Sequence, residues 1–256
     1  MEIISSVNNE TVKRAASLSE KKYRRYYGTF LVEGYKLVNE VVCGALELEK
    51  LYVESSYLTR YSDLISKCEP NVVVLGSNAF NKISDTVSTQ GIIAEVKMRP
   101  SLEFKIDEPF LVLDRISDPG NLGTIIRTAA AVGFRDIVLI NCSDPYNPKT
   151  VRSSAGGIFY TNFYPLSLDE LEDAVKDANA SLFVTDMNGE NIFNFNNESS
   201  IYGLVVGNEG SGVCTELKNM ATKKLSLPMT EQMESLNAGV SASVIMYELK
   251  KDELSK

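Results

Sequence analysis

The 256-residue chain carries 26 Lys and Arg against 34 Asp and Glu, a net charge of −8, and 44% hydrophobic residues, so it has room for one large or two small domains with a sizeable core. No apolar run approaches the roughly 18–20 residues of a membrane span, and the N-terminal MEIISSVNNE lacks the basic and apolar regions of a signal peptide. The chain has no histidine, and its cysteines at 43, 68, 142 and 214 form no C-x-x-C pair; this removes Ser-His-Asp, Cys-His and zinc chemistry and fits a reducing, cytoplasmic setting with free thiols.

A helix is expected near 11–24. Within KRAASLSEKKYRR (13–25), the cations Lys13, Arg14, Lys21, Lys22, Arg24 and Arg25 face a single acid, Glu20, and Tyr23, Tyr26 and Tyr27 follow or interleave. The acidic total speaks against a nucleic-acid partner, yet this local composition is that of a surface that neutralises phosphates and stacks bases. A solvated amphipathic helix has the same composition. TFLVEGYKLVNEVV (29–42) then reads as a strand running into a helix. Strands at LEKLYVES, NVVVLG and GIIAEVKM (91–98) alternate with helices near 58–67 and 77–83, which makes residues 1–99 a mixed α/β unit. The two prolines and mixed charge of 99–109 mark a linker, placed at 100–109.

From 110 to 256 the alternation is cleaner. Strands are expected at FLVLDR, DIVLIN, SLFVTDM, IYGLVVGN and KKLSLP, with helices at 121–132, 151–159, 168–178, 213–219 and 235–250. Near-continuous apolar strands separated by helices predict a parallel sheet covered on both faces, with ligands at the carboxyl ends of its strands.

Three loops stand at such ends. In SDPGNLGTIIRTAAAVGF (117–134), Asn121 is a candidate helix cap and Arg127 stands at the rim of the expected buried stripe of Ile126, Ala129, Ala130 and Gly133. In LVVGNEGSGV (204–213), glycines surround Asn208 and Glu209. No Gly-Lys-Ser/Thr follows, so this is not a P-loop; it presents backbone groups and one carboxylate, either to a ligand or as a helix-capping turn. In LSLPMTEQMESLNAGVSASVIMYEL (225–249), a strand ends at Pro228, and Ser235 or Asn237 is expected to cap a helix whose small residues allow close packing.

Asn-x-Gly-x-x-x-Arg, Gly-Asn-Glu-Gly and Leu-Pro-Met…Ser-Leu-Asn, in this order, resemble the three motifs of the SpoU/TrmH family within the SPOUT superfamily. NPKTVRSSAGGIF (147–159) is similar to the family's segment between its first two motifs. KKYRRYYGTFLVEG and QGIIAEV are similar to its substrate-binding domain, akin to ribosomal protein L30e.

The resemblance implies an α/β chain: an L30e-like domain over 1–99 and a parallel-sheet SPOUT domain with a trefoil knot over 110–256. It implies a homodimer that methylates ribose 2′-hydroxyls of structured RNA with S-adenosylmethionine and no metal. Arg127, Asn121, Glu209, Ser235 and Asn237 would be catalytic, and Gly207, Asn208, Gly210, Leu227, Met229, Ser235 and Leu236 would hold the cofactor. Arg14, Lys21, Lys22, Arg24, Arg25 and Arg152 would meet RNA phosphates. Arginine grips phosphate bidentately and keeps its proton, so positioning is the preferred role for Arg127, with the general base left open. Large-subunit ribosomal RNA leads as substrate. The same activity on tRNA, or a non-catalytic ribosome-assembly role on this scaffold, are the rival readings.

Overall fold

Short apolar runs alternating with helical periods produce two sheets. In the computed structural model, which describes residues 2–100, 102–230, 232 and 235–255, the sheets belong to separate units, residues 1–99 with 146–159 and residues 100–145 with 160–256.

The first unit runs β1 (Ile3–Ile4), α1 (Glu10–Ser17), α2 (Lys21–Tyr27), β2 (Thr29–Glu33), α3 (Tyr35–Val42), β3 (Leu48–Glu54), α4 (Ser62–Cys68), β4 (Val72–Leu75), α5 (Ser77–Ile83) and β5 (Ile92–Lys97). Its strand order is β1-β4-β3-β5-β2, with β1 and β3 parallel to β4 and with β5 antiparallel to both β2 and β3. Val12, Ala15, Ala79 and Phe80 cover Tyr52, Leu75 and Ile93 to form a core.

The single basic helix expected near 11–24 is in fact two. Arg24 is only 1% exposed, and its guanidinium donates to the carbonyls of Leu18 and Ser19, each at 2.7 Å. It thereby pairs acceptors that the end of α1 would otherwise leave open. Arg14 sits 2.7–2.8 Å from the carboxylate oxygens of fully buried Glu95, which also accepts from Thr29 and Tyr52. Both cations hold the fold, and Arg24 is corrected from surface contact to buried clamp. Arg24→Met is expected to cost about 1–3 kcal/mol, because two carbonyls lose their donor. Urea unfolding should show a lower midpoint with an unchanged slope; a native midpoint would mean that water replaces the guanidinium.

The chain continues with β6 (Phe110–Asp114), α6 (Pro119–Val132), β7 (Asp136–Ile140), α7 (Pro148–Ser153), β8 (Asn162–Pro165), α8 (Leu168–Asp177), β9 (Ser181–Asn191), β10 (Tyr202–Gly207), α9 (Thr215–Asn219), β11 (Lys223–Ser226) and α10 (Ala238–Leu254). Helix α7 falls within residues 146–159 and so belongs to the first unit. The second unit's sheet has the order β11-β9-β10-β6-β7-β8, and every pairing in it is parallel. Every residue of β6, β7 and β10 is buried, as a sheet covered on both faces requires. Leu171 and Leu217 of α8 and α9 pack on Phe110, Val112, Val138 and Val205. Among the described residues no helix is long and apolar enough to cross a membrane.

Two strands, β1 and β8, go beyond the sequence expectation. The helix expected at 151–159 is α7 followed by a 3-10 turn at 157–159, and the one expected at 235–250 is α10, three residues later at its start. The small residues of α10 pack within the chain. A Cβ on Gly239 would lie 3.1 Å from the side chain of Thr124 in α6, and the hydroxyls of Ser243 and Thr128 are 2.8 Å apart.

Candidate functional site

Three loops of the second unit meet at one side chain. Asn121 donates from Nδ2 to Glu209 Oε1 at 2.6 Å and accepts at Oδ1 from Asn237 Nδ2 at 2.8 Å. Glu209 lies in the loop after β10 and Asn237 immediately before α10, so one amide fixes the carboxyl end of a strand and the start of a helix.

Each partner is itself held locally. Helix α6 starts two residues earlier than expected: Asp118, not Asn121, is its cap, accepting from the Asn121 N–H at 2.9 Å, with Pro119 at the first helical position. Asn237 caps α10 by accepting from the Val240 N–H at 3.2 Å. The Asn208 side chain is spent on its own loop and on the chain just after β6. Its Oδ1 accepts from the N–H groups of Gly210 and Ser211, and its Nδ2 donates to the Arg115 carbonyl at 2.9 Å.

Gly207 is required for close approach. A Cβ there would lie 2.3 Å from both Gly212 C and Val213 N, so the loop folds back against a bare backbone. Beside it in the sheet, Asp114 at the end of β6 is buried; it accepts from the Cys214 N–H at 2.8 Å and pairs bidentately with Arg115 at 2.9 Å. Arg115, at φ 57°, also donates to the Gly212 carbonyl at 3.0 Å. Hydrogen bonding to Asp114 raises its guanidinium further above the ordinary arginine value. Burial pushes the Cys142 thiol up to about 12, so it stays a neutral donor, 3.0 Å from the Leu113 carbonyl. Asp114, Arg115 and Asp118 lie outside the three sequence motifs, and Cys142 reads in the sequence only as a free thiol. Of these, Asp118 was legible, because Asp before Pro-Gly is a helix-start signal.

The remaining cofactor candidates lie between β11 and α10. Met229 and Leu236 are exposed by 38% and 41%, Leu227 is half-buried, and Ser235 is exposed. Residues 231, 233 and 234 of this loop lie outside the described residues. Among the described residues, the backbone groups of Leu227, Met229, Ser235 and Leu236 have no hydrogen-bond partner. Uncovered apolar side chains beside free backbone donors and acceptors suit a flat, largely apolar ring with hydrogen-bonding edges. Among the described residues no group of acids and cysteines is placed to hold a metal ion.

Arg127 does not join this cluster. It is exposed on α6, and its side chain makes no hydrogen bond or ion pair among the described residues. Six residues beyond Asn121, it stands about 9 Å further along the helix and about 120° around it.

The cation candidates of the first unit divide similarly. Lys21, Lys22 and Arg25 are exposed; Lys22 is paired with Glu20 at 3.1 Å and lies over the Tyr23 ring. Tyr26 is 79% exposed and packs edge-on against Tyr27. Arg152 is half-exposed and pairs with Asp85 at 2.5 Å.

Residues 108–247 match the SpoU rRNA Methylase family, and residues 9–94 match the MRM3-like substrate binding domain. The chain is 33% identical over 252 residues to a 23S rRNA (guanosine(2553)-2′-O)-methyltransferase of Bacillus subtilis, covering 98% of this chain and all of that one. It is 27% identical to a 23S rRNA (uridine(2479)-2′-O)-methyltransferase of Streptomyces viridochromogenes over 98% of this chain and 93% of the relative. The AdoMet-bound crystal structure of an rRNA methyltransferase from Sinorhizobium meliloti superposes with a TM-score of 0.86 at 25% identity, covering 98% of both chains.

Proposed function

Because this chain belongs to the SpoU rRNA methylase family, we propose that it transfers a methyl group from S-adenosylmethionine to a ribose 2′-hydroxyl of large-subunit ribosomal RNA. The observation that carries the reading is the junction of Asn121, Glu209 and Asn237, which ties all three family motifs into one site. Relatives matched over nearly the whole chain are named for 23S rRNA, which favours ribosomal RNA over tRNA.

The cofactor supplies the activated methyl on its sulfonium, and the protein's task is to hold and orient. The backbone groups of Leu227, Met229, Ser235 and Leu236, without partners among the described residues, hold the adenosine, and Gly207 lets the loop that carries Glu209 fold back on its own backbone. Glu209, fixed through Asn121, and Ser235 position the ribose. Arg127, unpaired among the described residues and permanently charged, grips the neighbouring phosphate and steadies charge at the reacting oxygen. Lys21, Lys22 and Arg25, with Arg152, meet RNA backbone elsewhere.

The reading includes a homodimer. Val240 and Tyr247 on α10 are exposed by 47% and 52%, with Val244 between them, an apolar stripe that a twofold partner would cover. It also includes the family's trefoil knot, in which the C-terminal segment threads a loop. Four free cysteines fit action in the cytoplasm.

Two measurements test the proposal. Calorimetry is expected to show one S-adenosylmethionine bound per chain. Ribose-methylation mapping of total RNA from cells with and without the gene is expected to lose one 23S rRNA position. A loss confined to tRNA would transfer the activity to the rival substrate, and cofactor binding without any lost methyl group would leave only a binding role.

A further inference from the structure

The first unit carries an aromatic stack that the basic cluster does not explain. Tyr35, at the start of α3, stacks on Tyr61 with ring centroids 5.6 Å apart and planes 13° from parallel. Tyr61 stacks in turn on Tyr57 at 6.0 Å and 10°. The guanidinium of Arg60 lies beside the latter pair, 5.6 Å from the Tyr61 centroid and 6.0 Å from that of Tyr57. Among the described residues no carboxylate pairs with it.

The stack is held in place. The Tyr61 hydroxyl donates to the Gln90 carbonyl at 2.7 Å, and the Gln90 side chain accepts from the Tyr35 N–H at 2.8 Å. Gly91 has φ +72°, and a Cβ there would lie 2.3 Å from the Tyr57 ring, so glycine makes the room that ring occupies. The middle ring, Tyr61, is 3% exposed, whereas the outer ring, Tyr35, is 47% exposed. A core needs no such half-open end. Parallel rings held in register, one end uncovered and a free cation alongside, match the requirements for an unpaired nucleobase and its phosphate.

We propose that Tyr35, Tyr61 and Tyr57 form a platform on which an unpaired RNA base stacks against Tyr35, with Arg60 attracting the adjoining phosphate. The inference rests on the reading of this chain as an RNA methyltransferase, and it assigns base stacking to residues outside both the methyl-transfer site and the 13–25 cluster. Stacking on an exposed aromatic face tolerates any base, so the platform captures a single-stranded loop or bulge without reading its sequence.

The test uses the full-length protein and a short single-stranded RNA carrying 5-iodouridine, which photo-crosslinks to stacked aromatic rings. Crosslinks are expected at Tyr35. Tyr35→Leu, which keeps apolar bulk, and Tyr35→Ala should each weaken binding roughly tenfold, whereas Tyr35→Phe should bind as wild type. Arg60→Ala should lower the slope of log affinity against log salt by about 0.7. Unchanged affinity in Tyr35→Leu together with crosslinks elsewhere overturns the platform. So does a wild-type protein that binds S-adenosylmethionine but not this RNA, and that result leaves the methyl-transfer reading standing. Conversely, Tyr35-dependent RNA binding by a protein that never binds the cofactor supports the platform and removes the enzymatic reading.

Discussion

Mixing an Arg127→Ala chain with an Asn237→Ala chain, each inactive alone, is expected to return methyl transfer to about a quarter of wild type. The reason is geometric. Arg127 points about 120° away from Asn121 around α6 and shares no contact with the Asn121–Glu209–Asn237 junction among the described residues. If it serves the partner's cofactor, a mixed dimer has one site with both lesions and one with neither. Random assortment makes about half the dimers mixed, which yields the quarter. Subunit exchange must be verified, for example by co-purification through a tag on one chain. Exchange without recovered activity would assign Arg127 to its own subunit's site.

The second large effect concerns Gly207. The family resemblance makes Gly207 a cofactor-holding residue, where a side chain would fill space meant for the ligand. The structure relocates the conflict, because a Cβ would strike the backbone at Gly212 and Val213 before it met any ligand. Even Gly207→Ala must therefore displace the loop that carries Glu209. It is expected to cost about 1–3 kcal/mol of stability, and to weaken S-adenosylmethionine by at least tenfold. Gly210→Ala is the control for the steric argument: the nearest atom to its added Cβ is Asn208 Oδ1 at 3.7 Å, so melting should stay at the wild-type value. Native melting and affinity in Gly207→Ala would show that the 208–213 loop accommodates a methyl group and is not held as tightly as the hydrogen bonds around Asn208 imply.

The parts of the site written as loop chemistry were legible. Glycines around Asn208 and Glu209, and a small-residue run after Asn237, announce tight turns and a close helix by local rules. What could not be read is which groups those residues meet. Arg24 and Arg25 are adjacent and chemically alike, yet the former ends on two carbonyls inside the unit and the latter faces solvent. Only the return of the chain at Leu18 and Ser19 decides between them. Likewise Glu95 looks like any alternating strand residue until Arg14, Thr29 and Tyr52 converge on it from three other elements. A two-residue strand such as β1 has no period to detect, and it exists because β4 offers it a neighbour.

The junction at Asn121 also sets a clock on synthesis. Its two partners follow 88 and 116 residues later in the chain. Strand β6, emerging early, must likewise wait for β10 to gain one of its neighbours. Such distant pairings are slow to close, because the intervening chain must be made and ordered before any of them forms. A nascent chain that has not yet exposed Asn237 therefore has no assembled site. Methyl transfer becomes available in one late event rather than by degrees, and a chain stalled on its ribosome before that point holds no active enzyme beside the very RNA it is proposed to modify.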